Sequence, residues 1–203
     1  DPYWTDVFVK DVDGCGSDLD EYARRNLICA LTYGHSNTLV DFPAPRGAIS
    51  LAEERLQNRR PYWIEIDPSN IYGWRLDREV NYGKLIQVRI AEKAVVPDGD
   101  FGEKVYEQIR VIEPGKYRIY RKKETTKDMY TEDDAFAGNF DSPADEKDYD
   151  LVESGEFSLG EIPLVTVYSG KTDTMTSKPP LLDIAYLNLA HFQRQADLIH
   201  SLH

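Results

Sequence analysis

The chain has 203 residues, 41% hydrophobic and 30% charged, enough apolar material for a domain with a real core and too much for a disordered chain. Its net charge of −12 excludes a surface that wraps DNA by counterion release, though not one that DNA slides past, and no apolar run approaches the ~20 residues of a membrane span. Cys15 and Cys29 are too few for a disulfide framework, which points to a reducing compartment.

Residues 1–16 are aromatic and acidic, end in Gly14-Cys15-Gly16, and read as an extended arm. Ser17 suits the N-cap of a helix whose first turn carries Asp18, Asp20 and Glu21, where the helix dipole favours acids. Leu19, Tyr22, Ala23, Leu27, Ala30 and Leu31 recur at helical spacing, and Gly34 fits just past its end. Thr38 to Phe42 reads as a strand stopped by Pro43 and Pro45. Ser50 and Glu53 make a capping box for a second helix, Leu51 to Arg59, which Pro61 stops.

From residue 62 the period becomes two. Tyr62 to Ile66 and Ile71 to Leu76 read as strands flanking an Asp67-Pro68-Ser69-Asn70 turn. Lys84 to Val96, Lys104 to Ile112 and Lys116 to Lys123 follow, separated by the turn chemistry of Pro97-Asp98-Gly99-Asp100 and Glu113-Pro114-Gly115-Lys116. Their alternation predicts an antiparallel meander with one wet face. Residues 124–148 are polar and read as a long mobile loop. Asp150 to Phe157 and Ile162 to Tyr168 return to strand character. Pro179 and Pro180 then open a helix still running at His203, so the chain reads as a piece of something larger. Leu182, Ala185, Leu189, Phe192 and Ala196 share one face of it, widened by Leu181 and Ile199.

The fold class is therefore α+β: N-terminal helices, one antiparallel β-meander of five to seven strands within residues 17–178, and a long C-terminal helix from residue 179.

No catalytic, cofactor or metal constellation is legible. His200 and His203 have a spacing that could serve a metal, but they extend the apolar face and no fixed acid or thiol accompanies them. Asp98, Asp100 and Glu103 depart from a calcium loop and read as a turn. Asp133, Asp134, Asp141, Asp145, Glu146 and Asp148 read as a solvated run. His35, just past a helix end, sits where the dipole mildly favours a cation. Arg59 with Arg60, and Arg118, Arg121, Lys122 and Lys123, are small basic clusters; the second reads as a phosphate contact or as edge-strand protection. Tyr62, Trp63, Tyr72 and Trp74 form an aromatic group across a turn, a core for a small sheet or a stacking platform. Leu189, Phe192, Ala196, His200 and His203 are the candidate subunit or partner contacts.

The order of elements resembles the N-terminal half of a tailed-phage portal protein, and more narrowly an uncharacterised portal-like phage and prophage family. The resemblance rests on Tyr33-Gly34, Leu39-Val40-Asp41-Phe42-Pro43, Arg60-Pro61-Tyr62-Trp63, Ile71-Tyr72-Gly73-Trp74-Arg75, Ile109 to Gly115, Gly160-Glu161-Ile162-Pro163-Leu164-Val165, and Pro180 to Asn188. It implies a wing-like domain whose last helix leads toward a stem further along the chain, in a ring of about a dozen subunits at one capsid vertex. It also implies contacts with terminase, head–tail adaptor and capsid proteins, duplex DNA passing through the channel, a place in the virion, and host cytoplasm during assembly. Rival readings are another head–tail connector or minor capsid protein, and a hydrolase-like enzyme domain.

Overall fold

The structure, a computed structural model, describes residues 4–43, 50, 53, 57, 59–123 and 148–201. Helix α1 (Leu19–Tyr33) is followed by β1 (His35–Asp41), β2 (Tyr62–Ile66), β3 (Ile71–Leu76), β4 (Leu85–Asp98), β5 (Gly102–Glu113), β6 (Lys116–Lys122), β7 (Tyr149–Glu156), β8 (Leu164–Tyr168), β9 (Lys171–Asp173), β10 (Thr176–Ser177) and α2 (Leu182–Ser201). The class is α+β, and the chain divides into two compact units. Residues 69–162 form one, inserted in sequence into the other, which is built from 1–68 and 163–203.

The single meander expected from the sequence is two sheets. In the first unit β1 is flanked antiparallel by β2 and β8, in the order β2-β1-β8. β8 is more than a hundred positions from β1 along the chain, so local periodicity carried no trace of this pairing. The second unit holds the meander proper, β3-β4-β5-β6-β7, each strand beside its sequence neighbour. The Pro114-Gly115 turn between β5 and β6 works because Gly115 takes φ 80°, which an L side chain resists. Register puts Val88, Ile112 and Tyr117 in one row and Ile90, Arg110 and Ile119 in the next, and Val88, Ile90, Ile112 and Ile119 are buried. Beyond that core, residues 91–98 of β4 and 102–110 of β5 are nowhere buried, on either side of the ribbon.

The N-terminal arm is not extended throughout. Trp4–Phe8 winds into a π-helical turn that buries Phe8, and Val12 is buried with it. Phe8 and Val12 pack with Tyr22 of α1, with Leu19 and Trp63 against them. The Trp63 ring meets Trp4, Phe8 and Tyr22. Trp63 therefore packs on the core of the first unit, whereas Tyr72 and the exposed Trp74 lie in the second, and the aromatic group expected across the turn divides between the two units.

α1 starts one residue later than the expected cap. Asp18, not Ser17, is the N-cap, its carboxylate accepting the Glu21 N–H at 2.8 Å. Ser17 is engaged instead with the arm, accepting the Val12 N–H at its carbonyl and donating its own N–H to Asp13. The inner face of α1 meets β1 through polar groups. Tyr22 Oη donates to Thr38 Oγ1 at 3.0 Å, and Ser36 Oγ donates to Asn26 Oδ1 at 2.9 Å. Asn26, Ser36 and Thr38 are all buried, and each has a partner, which is the condition for burying them at all. Ser50 and Glu53 form the expected capping box, but residues 51–52, 54–56 and 58 of the second helix lie outside the described residues, as do 124–147 of the expected loop and His203.

α1 ends at Gly34 in the left-handed conformation, φ 92°. Its carbonyl accepts hydrogen bonds from the Ser169 N–H, from Ser169 Oγ and from Ser177 Oγ. A Cβ added there would stand 2.5 Å from Ser177 Oγ and 3.0 Å from the Pro179 nitrogen. Gly83 also has positive φ, 83°, but open space around it. Gly34→Ala should therefore destabilise the protein by more than the roughly 1–2 kcal/mol of left-handed backbone strain that Gly83→Ala incurs. Urea unfolding of the two variants measures the difference, and equal losses would remove the steric contribution assigned to Gly34.

Candidate functional site

Of the residues named as contacts, Leu189, Phe192, Ala196 and His200 lie on α2, while His203 lies outside the described residues. None of the described residues of α2 is buried. Leu189 is 52% exposed, Phe192 68% and Ile199 54%. The stripe does not pack on a sheet of its own chain. Leu182, Ala185, Leu189, Phe192, Ala196 and Ile199 are spaced alternately three and four apart, the a/d pattern of a helix that packs on another helix. Beside that seam stand Tyr186, Asn188, Gln193 and Gln195, all uncharged, while Asp183, Arg194 and Asp197 lie off it. Ile184, Leu187 and Leu198 make a second exposed apolar line on the other side. Phe192, Gln195, Ala196, Ile199 and His200 border a shallow depression walled by α2 alone, so it is relief on the helix surface and not a cavity.

The root of α2 is held. Lys178 N–H donates to the Gly170 carbonyl, Lys178 Nζ pairs with Asp183 at 3.1 Å, and Ser177 is tied to Gly34. The segment between β8 and α2 is a small hairpin of β9 and β10. Met175 at its turn has φ 58° and is buried, with its N–H donating to Tyr168 Oη at 2.9 Å. Helix, hairpin and the end of α1 are thereby one fixture.

The other sequence candidates do not converge. Among the described residues no group of His, Cys, Asp and Glu is arranged to hold a metal ion. Asp98 and Asp100 sit at the β4–β5 turn, where Asp98 pairs with Lys104 at 3.5 Å. His35 is the first residue of β1, and burial pushes its pKa below the usual imidazole value, against the cation the helix end was expected to favour. Cys29 is buried and its thiol is pushed up to about 11 by burial and by Asp67 and Glu65, so it is not a nucleophile at neutral pH. β6 is flanked by both β5 and β7, so its basic residues are not edge guards. Arg118 pairs with Glu113 at 3.0 Å, Lys122 with Glu107 at 3.2 Å and Lys123 with Asp150 at 3.4 Å, while Arg121 lies over the Tyr106 ring.

One polar cluster was missed in the sequence because its members are scattered along it. Arg60 is buried and pairs with Asp11 at 2.7 Å, beside the Phe8 ring. Arg25 reaches Asp13, Glu21 and Glu65. Burial works against the Asp13 carboxylate, but bonds from the Ser17 hydroxyl, the Cys15 and Ser17 N–H groups and Arg25 outweigh it and hold its pKa at about 2. This cluster fastens the arm to α1 and β2 through ion pairs among its own side chains.

Because the folded-state pKa of Asp13 lies below its unfolded value of about 4, its contribution is complete above pH 4 and is lost as pH falls toward about 2. Asp13→Asn should cost roughly 1–3 kcal/mol at pH 7. Urea midpoints taken from pH 7 down to pH 2 should show the gap to the parent protein closing below pH 4; a gap unchanged by pH would rule out the carboxylate's role. Compared with known proteins, the chain matches no protein-family model and resembles no curated sequence closely enough to count as a relative.

Proposed function

We propose that this chain is the wing-like region of a tailed-phage portal protein, a structural subunit with no chemistry of its own. The observation that carries the reading is α2, which exposes a heptad-spaced apolar seam to solvent over its whole described length. A helix of that kind needs another helix. Burying Leu189 and Phe192 contributes about 1.5–3 kcal/mol each, enough to drive association when repeated by every subunit. The uncharged flanks of the seam let acidic copies approach one another there, and the two apolar lines of α2 suit a subunit with a neighbour on either side, as a ring requires.

The element order that resembles portal proteins supplies the rest of the proposal. The subunits surround the channel at one capsid vertex, self-associating through α2 and its continuation. Terminase, head–tail adaptor and capsid proteins are the partners, and duplex DNA passes through without being gripped by so acidic a chain. The place of action is the virion, reached after assembly in the host cytoplasm.

Electron microscopy of the full-length gene product is the test. The expected result is a ring with a central hole wide enough for duplex DNA, lost when Leu189→Glu and Phe192→Glu are introduced together. A compact monomer or dimer at all salt and protein concentrations would overturn the reading.

A further inference from the structure

The chain holds two Asp-Gly pairs, Asp13-Gly14 and Asp98-Gly99, and the fold puts them in opposite surroundings. In such a pair the glycine nitrogen, with no Cβ beside it, can reach the side-chain carboxyl carbon of the aspartate. Whether it does depends on how freely the carboxyl and the turn can move.

Asp13 is held. Its carboxylate accepts the Cys15 N–H at 2.9 Å and the Ser17 N–H at 3.1 Å, and Arg25 donates to its other oxygen at 3.2 Å. These bonds fix the carboxyl on residues beyond Gly14, and they must break before the Gly14 nitrogen can attack. Burial opposes the charge of Asp13, but the bonds outweigh it and keep the pKa at about 2, so the protonated acid that has to react is scarce. Buried Val12 precedes it, and Tyr62 Cβ lies 3.9 Å from where a Cβ would stand on Gly14, so the arm cannot shift there without disturbing its core.

Asp98 is not held in this way. It ends β4 at the tip of the β4–β5 ribbon, facing Gly102, in the stretch where neither strand is buried. Its carboxylate meets Lys104 at 3.5 Å with both side chains more than half exposed, an ion pair worth little in water. Gly99 has φ 72° and open space where a Cβ would lie, and Phe101 in the same turn is fully exposed. Opening this tip uncovers no core.

We propose that Asp98 is a site of spontaneous backbone modification: the folded chain converts it to isoaspartate and preserves Asp13. The Gly99 nitrogen attacks Asp98 Cγ, the N–H proton and the carboxyl hydroxyl leave as water, and a five-membered succinimide closes. Water then adds at the main-chain carbonyl and breaks its bond to the nitrogen. One water leaves and one returns. The backbone now runs through the side chain, one methylene longer, and the former main-chain carbonyl is a free carboxylate. At the exposed tip that carboxylate is open to enzymes that recognise isoaspartate and transfer a methyl group to it from S-adenosylmethionine. The inference rests on the two aspartates and is independent of the portal reading.

The full chain is aged for weeks at neutral pH, folded and in parallel unfolded in urea, and then digested with trypsin. Isoaspartyl peptides, equal in mass to their parents, are separated by chromatography, and electron-transfer fragmentation fixes the position. In the folded chain isoaspartate at residue 98 should exceed that at residue 13 by about tenfold or more, the difference between a freely opening tip and an anchored segment. In urea the two positions should accumulate it at similar rates. Asp98→Glu keeps the charge but would need a six-membered ring, and should leave the peptide spanning residue 98 without an isoaspartyl form. Equal amounts at the two positions in the folded chain, an excess at residue 98 that persists unchanged in urea, or an isoaspartyl form that survives Asp98→Glu would overturn the proposal.

Discussion

The first unit depends on the carbonyl of Gly34. Helix α1 can turn directly into β1 only through a left-handed residue, and that turn aims a bare carbonyl at the strand and hairpin that arrive from the far end of the chain. Ser169 and Ser177 satisfy it, along with the Ala30 carbonyl that Ser169 Oγ also reaches at 2.7 Å. One helix end thus fixes where β8 stops, how the β9–β10 hairpin lies, and where α2 begins. An acceptor left unsatisfied at that depth would cost about 1–3 kcal/mol, so the latch stabilises as well as positions.

The polar joint between α1 and β1 acts in the same way. Asn26, Ser36, Thr38 and the Tyr22 hydroxyl accept a tight mutual geometry in place of water, and a sheet slipped by one residue would leave each of them unpaired. Apolar packing of Phe8, Val12 and Trp63 then closes the other end of the helix. The unit is held by specificity at its centre and by burial at its margin. Against that background the exposed apolar residues of α2 and β8 are conspicuous: the polar joint at the centre of the unit is paired, while the heptad seam of α2 and the valines of β8 stay in solvent among the described residues.

Much of this was legible in the residues. Gly34, the Ser50–Glu53 box and the Pro114-Gly115 turn carry their geometry in their own chemistry, and so the element order could be read along the chain. The α2 stripe was legible for the same reason, since a period of three to four needs only one helix to express it. The arm misled because Phe8 and Val12 have no local pattern; they fold inward only because Tyr22 and Trp63 are there to receive them. The basic residues of β6 misled because nothing within a strand tells whether it lies at an edge or in the middle.

The sequence by itself determined the α+β class, most of the helices and strands, and the amphipathic face of α2, because these follow from backbone preferences and short-range periodicity. Tertiary structure alone decided that the strands expected in one meander divide between two sheets, that buried Arg60 pairs with Asp11, and that β8 comes to lie at the end of its sheet among the described residues. Each of those outcomes depends on residues tens to more than a hundred positions apart being brought together, and no local pattern records which distant partner a strand or a charge will find.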